Sequence, residues 1–380
     1  MTSEVARRRR RALGALAVAA AAAGLIVGAG AGGDSAGTAA EPGFCDQQGR
    51  DALSRVAGQK VMVRMEGRVT PALLREAREG AIGGVVLFPP TDIASQRLAA
   101  ELERLQAAAA QAGGPRLLVA IDQEGGIVER LPALPPQLSP YTIAQNDDRQ
   151  AAVLEGRATG FQLRELGIDV NLAPVLDVPV SEQQFMAPRA FGTTPEQVSR
   201  LGLAFASGMR REAVAATAKH FPGLGRAVEN TDFAPTEIDT TRRGLADDLE
   251  PFEAAVAQGI DLVMLSSAAY PGLRARGPAV LSRAVATDLL RGELGFQGVS
   301  ITDDLLAPAI AAGYSRREAA VLAAAAGLDV LLFAAEETSG TADALVAAIE
   351  TRELSEEEMR ASCARIVALK DRLAAGAPLE

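Results

Sequence analysis

The chain has 380 residues, 48% of them hydrophobic and 23% charged, which suits a globular protein with a sizeable core, built as two domains or as one large barrel. Its formal net charge of −10 excludes an extended basic surface of the kind that binds nucleic acid, and is read as a solubility charge. His220 is the one histidine, so every histidine-pair metal site and every two-histidine acid/base scheme is excluded.

At the N-terminus, Arg7 to Arg11 form a block of five arginines, and Ala12 to Gly33 then run without a charge. Such a segment is an export signal or a single membrane anchor, with the basic block left on the cytoplasmic side. Residues 1–33 are assigned to it, with Ala29-Gly30-Ala31 as a cleavage site and residues 12–33 as the stretch that would hold a membrane. Residues 34–44 read as a flexible linker. Residues 45–380 read as the folded domain, an exported or cell-surface monomer. Cys45 and Cys363 are the only cysteines, and no lipobox-like sequence precedes Cys45. In an exported chain they meet a disulfide-permissive compartment, so a bond tying the two ends of the domain together is expected, against two unpaired thiols.

Eight short apolar runs follow: Lys60–Met65, Gly83–Phe88, Arg116–Ile121, Ile168–Leu172, Ala213–Ala218, Asp261–Leu265, Gly298–Thr302 and Asp329–Phe333. They are nearly continuously apolar, as strands buried on both faces should be. Between them lie amphipathic segments, among them Ile93–Gln111, Arg149–Leu166, Pro195–Glu212, Leu245–Gln258, Ser282–Leu294 and Ser315–Ala326. With no tryptophan and 4% aromatics, alanine, leucine and valine must do the packing. Eight β–α alternations predict an α/β fold, a single (β/α)8 barrel of the TIM type, over a doubly wound open sheet.

The polar residues fit the direction of such a barrel, whose catalytic groups gather at the C-terminal ends of the strands. The third run ends in Asp122-Gln123-Glu124-Gly125-Gly126, the fourth leads through Asn171 to Asp177, the fifth to Lys219-His220, the sixth to Ser266-Ser267 and the seventh to Asp303-Asp304. Five of eight strands ending this way describe the mouth of a polar pocket. No glycine-rich phosphate loop or cysteine metal cluster competes with it, and no cofactor is called for.

These residues in this order resemble glycoside hydrolase family 3, in its single-domain β-N-acetylglucosaminidase branch. The resemblance covers about Leu53 to Leu373. Its pieces are Ile82 to Phe88, Asp122 to Gly126 with Arg130, Asn171 to Asp177, Arg189-Ala190-Phe191-Gly192, Lys219 to Gly223, and Gly295 to Gly298 running into Thr302-Asp303-Asp304-Leu305. It implies that Asp303 is the nucleophile of a retaining mechanism. It also implies that Asp122, Arg130, Arg189, Lys219 and His220 hold the hydroxyls of a terminal sugar, with a carbohydrate as the partner. Charge-assisted hydrogen bonds from such groups would orient a sugar.

The chain departs from that branch in one loop. After Lys-His-Phe-Pro-Gly the branch continues His-Gly and later carries Asp-Ser-His, whose histidine is the acid/base. Here those positions are Leu224 and Asn230-Thr231-Asp232. Three readings stand. In the first, Asp232 is the acid/base of a two-carboxylate hydrolase acting on a terminal β-linked N-acetylhexosamine, with peptidoglycan fragments as a source and Asn230 orienting its carboxyl. In the second, Asp232 only makes an Asx-type turn and the chain is a weak or inactive sugar-binding protein. Ser267, where the family often has a histidine, favours that reading. In the third, transfer to another sugar or phosphorolysis replaces hydrolysis; Arg226 is placed to bind an anion, against the simpler reading of a solvated arginine. Of the other acids, Asp177 is expected to brace the loop carrying Arg189, Glu124 to bond inside the mouth, and Asp304 to cap a helix or support Asp303.

Overall fold

The computed structural model describes residues 43–275 and 277–379. The signal or anchor segment and the linker as far as residue 42 lie outside the described residues. Among the described residues no helix is long and apolar enough to cross a membrane.

Eight parallel strands form the sheet: β1 (Val61–Met65), β2 (Gly84–Leu87), β3 (Leu118–Ile121), β4 (Val170–Asn171), β5 (Ala215–Phe221), β6 (Leu262–Leu265), β7 (Val299–Thr302) and β8 (Leu331–Phe333). They follow one another in order, and β8 returns to pair with β1. The circle closes between β7 and β8 through a parallel bridge from Ile301 to Val330 and the bonds that Thr302 N and Leu305 N donate to Val330 O and Leu332 O, each 3.0 Å. This is the predicted (β/α)8 barrel. Each of the eight apolar runs supplies one strand, because residues buried on both faces leave no polar side for a helix to show. Helices Ser95–Ala109, Arg149–Glu165, Pro195–Arg211, Ala246–Ala257 and Arg316–Ala325 stand between successive strands, within two residues of their predicted bounds.

The core has two layers. Met62, Val86, Ala120, Val170, Leu172, Ala215, Leu262, Met264, Val299, Ile301, Val330 and Leu332 fill the barrel itself. A larger set, from Leu53 to Met359, packs between strands and helices. At roughly 25 cal/mol per Å² of apolar surface, burial of this many aliphatic side chains drives the fold without large aromatics.

The N-terminal face is tied by three buried aspartates, each just ahead of an even-numbered strand. Asp169 accepts Val119 N at 3.1 Å, Asp261 accepts Ala216 N at 3.3 Å and Asp329 accepts Ser300 N at 2.9 Å. Each carries an arginine partner: Arg116 at 3.3 Å, Arg210 at 3.0 Å and Arg365 at 2.8 Å. These carboxylates staple neighbouring strands together at the end of the barrel remote from the predicted pocket, where polar residues serve stability.

Cys45 and Cys363, 318 positions apart in the sequence, are joined, with Cα atoms 5.9 Å apart. The link ties the start of the domain to its last helix, Glu356–Ala375. Because it closes so long a loop in the unfolded chain, its reduction is expected to cost about 2–5 kcal/mol, read as a lower denaturation midpoint. An unchanged midpoint with a reductant present would contradict a stabilising bond.

Candidate active site

At the C-terminal end of the barrel lies a cavity of about 270 Å³. Leu172, Met264 and Leu332, the top layer of the barrel core, form its floor. Its walls carry Phe88, Asp122, Arg130, Arg189, Lys219, His220, Asp232 and Asp303. All seven predicted catalytic and sugar-holding residues therefore meet in one place, from the ends of β3, β5 and β7 and the loops after β3, β4 and β5.

Asp122 follows β3 directly. The chain then turns back in a short hairpin, Gln123–Gly125 against Val128–Glu129. Gly125 and Gly126 turn it at φ of 96° and 69°, the left-handed region that favours glycine. Gln123 is fully buried and locks the hairpin. Its amide donates to Leu131 O and Pro135 O, and its oxygen accepts from Arg130 N and Leu131 N. Arg130 is thereby brought over the mouth, with its guanidinium 4.1 Å from the centre of the Phe88 ring and 3.7 Å from Asp122. Sequence reasoning passed over Gln123 and Phe88. The only signal was position, one within a polar strand end and one closing an apolar run.

Lys219 sits at the centre of a charge cluster. Its Nζ lies 2.7 Å from Asp122 Oδ1 and 2.6 Å from Glu124 Oε1. Arg189 donates to Glu124 from Nε at 2.8 Å and from Nη2 at 2.7 Å, a planar fork onto one carboxylate. Burial disfavours the charge on Glu124, but Arg189 and Lys219 outweigh it and hold the carboxyl well below the usual carboxylate range. Burial likewise opposes the charge on Lys219, and Asp122 and Glu124 overcome it, so the ammonium sits above the usual lysine value. The cluster is a rigid, pre-ionised set of donors and acceptors at the cavity wall. Glu124 acts inside it as expected.

Adjacent residues of a regular strand point to opposite faces. Lys219 and His220 nonetheless both line the cavity. The pairing of β5 with β6 slips between Lys219, opposite Met264, and Phe221, opposite Leu265, so His220 bulges out of register. β5 also runs on to Phe221, beyond the predicted end at Ala218, because the strand continues to pair through the bulge.

Three expectations need correction. Asp177 braces the loop that carries His220, not the one that carries Arg189: it accepts His220 N, His220 Nδ1 and Leu224 N. Asn230 holds backbone, not the carboxyl of Asp232: its Oδ1 accepts Asp232 N at 2.9 Å, an Asx turn. Arg226 is tied to the buried Asp248 at 2.7 Å, which leaves it poorly placed to take up a free anion. Leu224 is buried, as expected for an apolar residue under the loop.

Asp303 follows β7, where its N–H donates to Leu265 O at 3.1 Å and its Oδ1 accepts Asp304 N at 2.9 Å. Asp304 in turn accepts Leu306 N and Ala334 N, both at 2.9 Å, and braces the tops of β7 and β8. Burial pushes the Asp303 carboxyl up, His220 opposes that, and the negative charges of Asp232 and Asp304 add to it. A raised carboxyl costs the fold stability as pH climbs past the ordinary carboxylate range. Asp232 is exposed on its loop and lines the same cavity.

The family model described as the glycosyl hydrolase family 3 N-terminal domain matches residues 56–369. The chain belongs to glycoside hydrolase family 3. A family relative from Arthroderma benhamiae, described as an uncharacterized secreted glycosyl hydrolase, is 39% identical over 335 residues, 85% of this chain and 94% of that one. A beta-hexosaminidase of Methylococcus capsulatus is 32% identical over 288 residues, 73% of this chain and 84% of its own. Among solved structures, the family 3 beta-N-acetylglucosaminidase of Paenibacillus sp. str. FPU-7 superposes with a TM-score of 0.82 at 35% identity, over 86% of this chain and 64% of that one, so this chain spans a little under two thirds of its length. The beta-N-acetylhexosaminidase of Beutenbergia cavernae gives a TM-score of 0.78 at 33% identity, covering 84% of this chain and 98% of the other. As a family 3 glycoside hydrolase, this chain has its barrel mouth as the place to look for glycosidic chemistry.

Proposed function

We propose that the chain is a retaining hydrolase that releases a terminal β-linked N-acetylhexosamine, with peptidoglycan fragments as a natural source. One observation carries the reading: Asp303 opens into the same cavity as Asp122, Arg130, Arg189, Lys219 and His220. In it, Asp303 attacks the anomeric carbon and expels the leaving group. The charge cluster and His220 hold the sugar hydroxyls. Asp232, on the loop after β5, gives its proton to the leaving oxygen and then takes one from the water that displaces Asp303. This reading requires the two carboxyls to stand about 5–5.5 Å apart, as in other two-carboxylate retaining sites. The relatives named as hexosaminidases support the choice of sugar.

The family branch carries a histidine dyad in this loop. Here, with one histidine committed beside Asp177, proton transfer falls to Asp232. The direct test follows an aryl β-N-acetylhexosaminide by NMR. The β-anomer is expected as the first sugar formed; an initial α-anomer would overturn retention. The second reading, a sugar-binding protein with little turnover, is favoured by the exposure of Asp232 and the Asx turn that fixes its backbone. Binding without any turnover would select it. The pairing of Arg226 with Asp248 speaks against phosphorolysis.

The N-terminal segment and the relative described as secreted support export. We read the protein as a monomer outside the cytoplasm, released by cleavage or held by residues 12–33.

A further inference from the structure

The side of the cavity at β1 and β2 carries positive charge that the Lys219 cluster does not use. Along β1, Met62 fills the barrel, while Val61, Val63 and Met65 belong to the layer between strands and helices. The two-residue period of a strand then turns Arg64 inward, one step nearer the mouth. By the same rule Phe88 stands above Val86 at the end of β2, where it lines the cavity. The Arg64 guanidinium lies 4.9 Å from the centre of the Phe88 ring, and that of Arg130 lies 4.1 Å from the same centre. One aromatic ring thus gathers two guanidiniums at the cavity wall.

Neither is engaged as its neighbours are. Arg189 forks onto Glu124, and Lys219 bridges Glu124 and Asp122 at 2.6 and 2.7 Å, so two cations and two carboxylates balance one another. Arg130 has a 3.7 Å contact to Asp122, which Lys219 already holds. Arg64 pairs with Glu66, two residues on, whose side chain is 51% exposed, a kind of pair that contributes little. The Nε atoms of both arginines are buried without a hydrogen-bond partner among the described residues. Their side chains as a whole stay 34% and 35% exposed, so both remain within reach of a ligand at the mouth. A surplus of positive charge therefore stands on this wall of a chain whose net charge is −10. In the closed circle of eight strands, β3, the neighbour of β2, stands across from β7, which leads into Asp303. A sugar with its anomeric carbon at Asp303 meets this wall with substituents away from the glycosidic bond.

We propose that Arg64 and Arg130 form an anion-recognition subsite of the cavity, which selects a terminal N-acetylhexosamine esterified by sulfate or phosphate on a hydroxyl remote from the glycosidic bond; this rests on the reading of the cavity as a hexosaminidase site. Arginine presents parallel N–H donors in a fixed plane, which suits the oxygens of such an ester. Contact with the Phe88 ring holds both planes before a ligand arrives, so less side-chain freedom is lost on binding. A neutral hydroxyl would leave the surplus charge of the pair unmatched.

The test compares an aryl β-N-acetylhexosaminide with its 4-O-sulfo, 6-O-sulfo and 6-O-phospho derivatives. In wild type at low salt, kcat/KM for at least one ester is expected to exceed that of the parent by about tenfold, the worth of one charge-assisted hydrogen bond. The ester with the highest ratio identifies the group. The ratio of ester to parent is expected to shrink as salt is raised, and to fall toward one in Arg64→Gln. Glu66→Gln removes the carboxylate that competes for Arg64, and is expected to raise the ratio by about twofold. No ester preferred over the parent in wild type overturns the proposal, as does an unchanged ratio in a folded Arg64→Gln. If Arg64→Gln does not fold, Glu66→Gln decides, and a ratio that does not rise there overturns it. If no glycoside is turned over, the hydrolase reading fails by itself. Calorimetric affinities of the free sulfated and phosphorylated sugars against the unmodified sugar, with the same variants, then replace the kinetic ratio.

Discussion

Asp303→Ala is expected to abolish cleavage of every glycoside, including one with an activated aryl leaving group. The reason is that in the proposed mechanism Asp303 is the residue that forms the covalent bond to the sugar. An easy leaving group removes the need for a proton donor but not for a nucleophile. The loss should be on the order of 10⁴-fold or more in kcat, the scale seen when a covalent-catalysis residue is removed. Sugar affinity should survive, because the holding groups Asp122, Lys219 and Arg189 are anchored to one another and to Glu124 and do not depend on Asp303. Stability should rise at neutral pH. Burial, Asp232 and Asp304 push this carboxyl up, so its ionised form costs the fold free energy that the alanine variant does not spend. At a pH below the ordinary carboxylate range both proteins lack the charge and this difference should vanish. Thermal denaturation of the two proteins at neutral and acidic pH measures it. Retained turnover of the activated glycoside would move the nucleophile elsewhere.

Asp232→Ala is expected to separate substrates by their leaving groups. With a poorly departing sugar or alkyl group, kcat should fall by roughly 10²–10⁴-fold, the usual worth of general acid catalysis. With an activated aryl group the first step should be nearly unchanged. Hydrolysis of the glycosyl-enzyme should then slow, since the same carboxylate activates water, and covalent enzyme should accumulate as a burst. Added azide, which needs no base, should restore turnover. Equal slowing of both substrates, or of neither, would remove the Asp232 carboxyl from the mechanism.

Much of this was legible in the chain. Continuous apolar runs of strand length, alternating with amphipathic segments, leave few folds able to bury both faces of eight strands. Local sequence also marked Asp122, Lys219, His220 and Asp303, because polar groups that end apolar strands sit at one end of a parallel barrel, whereas Arg130, Arg189 and Asp232 came from the resemblance to the family. What it did not reveal was pairing between distant segments. Asp177 and His220 are 43 positions apart, and nothing in either stretch says that one carboxylate takes three donors from the other. Asn230 was read as a support for a side chain, and it supports a backbone N–H. Arg226 looked free until Asp248, 22 residues on, was seen to hold it.

Hydrophobic periodicity is a property of neighbours along the chain, so the barrel, its direction and the residues at its mouth were determined by the sequence itself. Hydrogen bonds between strand ends depend on register and on departures from it. A slip between β5 and β6 turns His220 into the cavity beside Lys219, and the circular closure of the sheet brings the loop after β5 to the end of β7. Those are long-range geometric facts, and only the tertiary structure decided them.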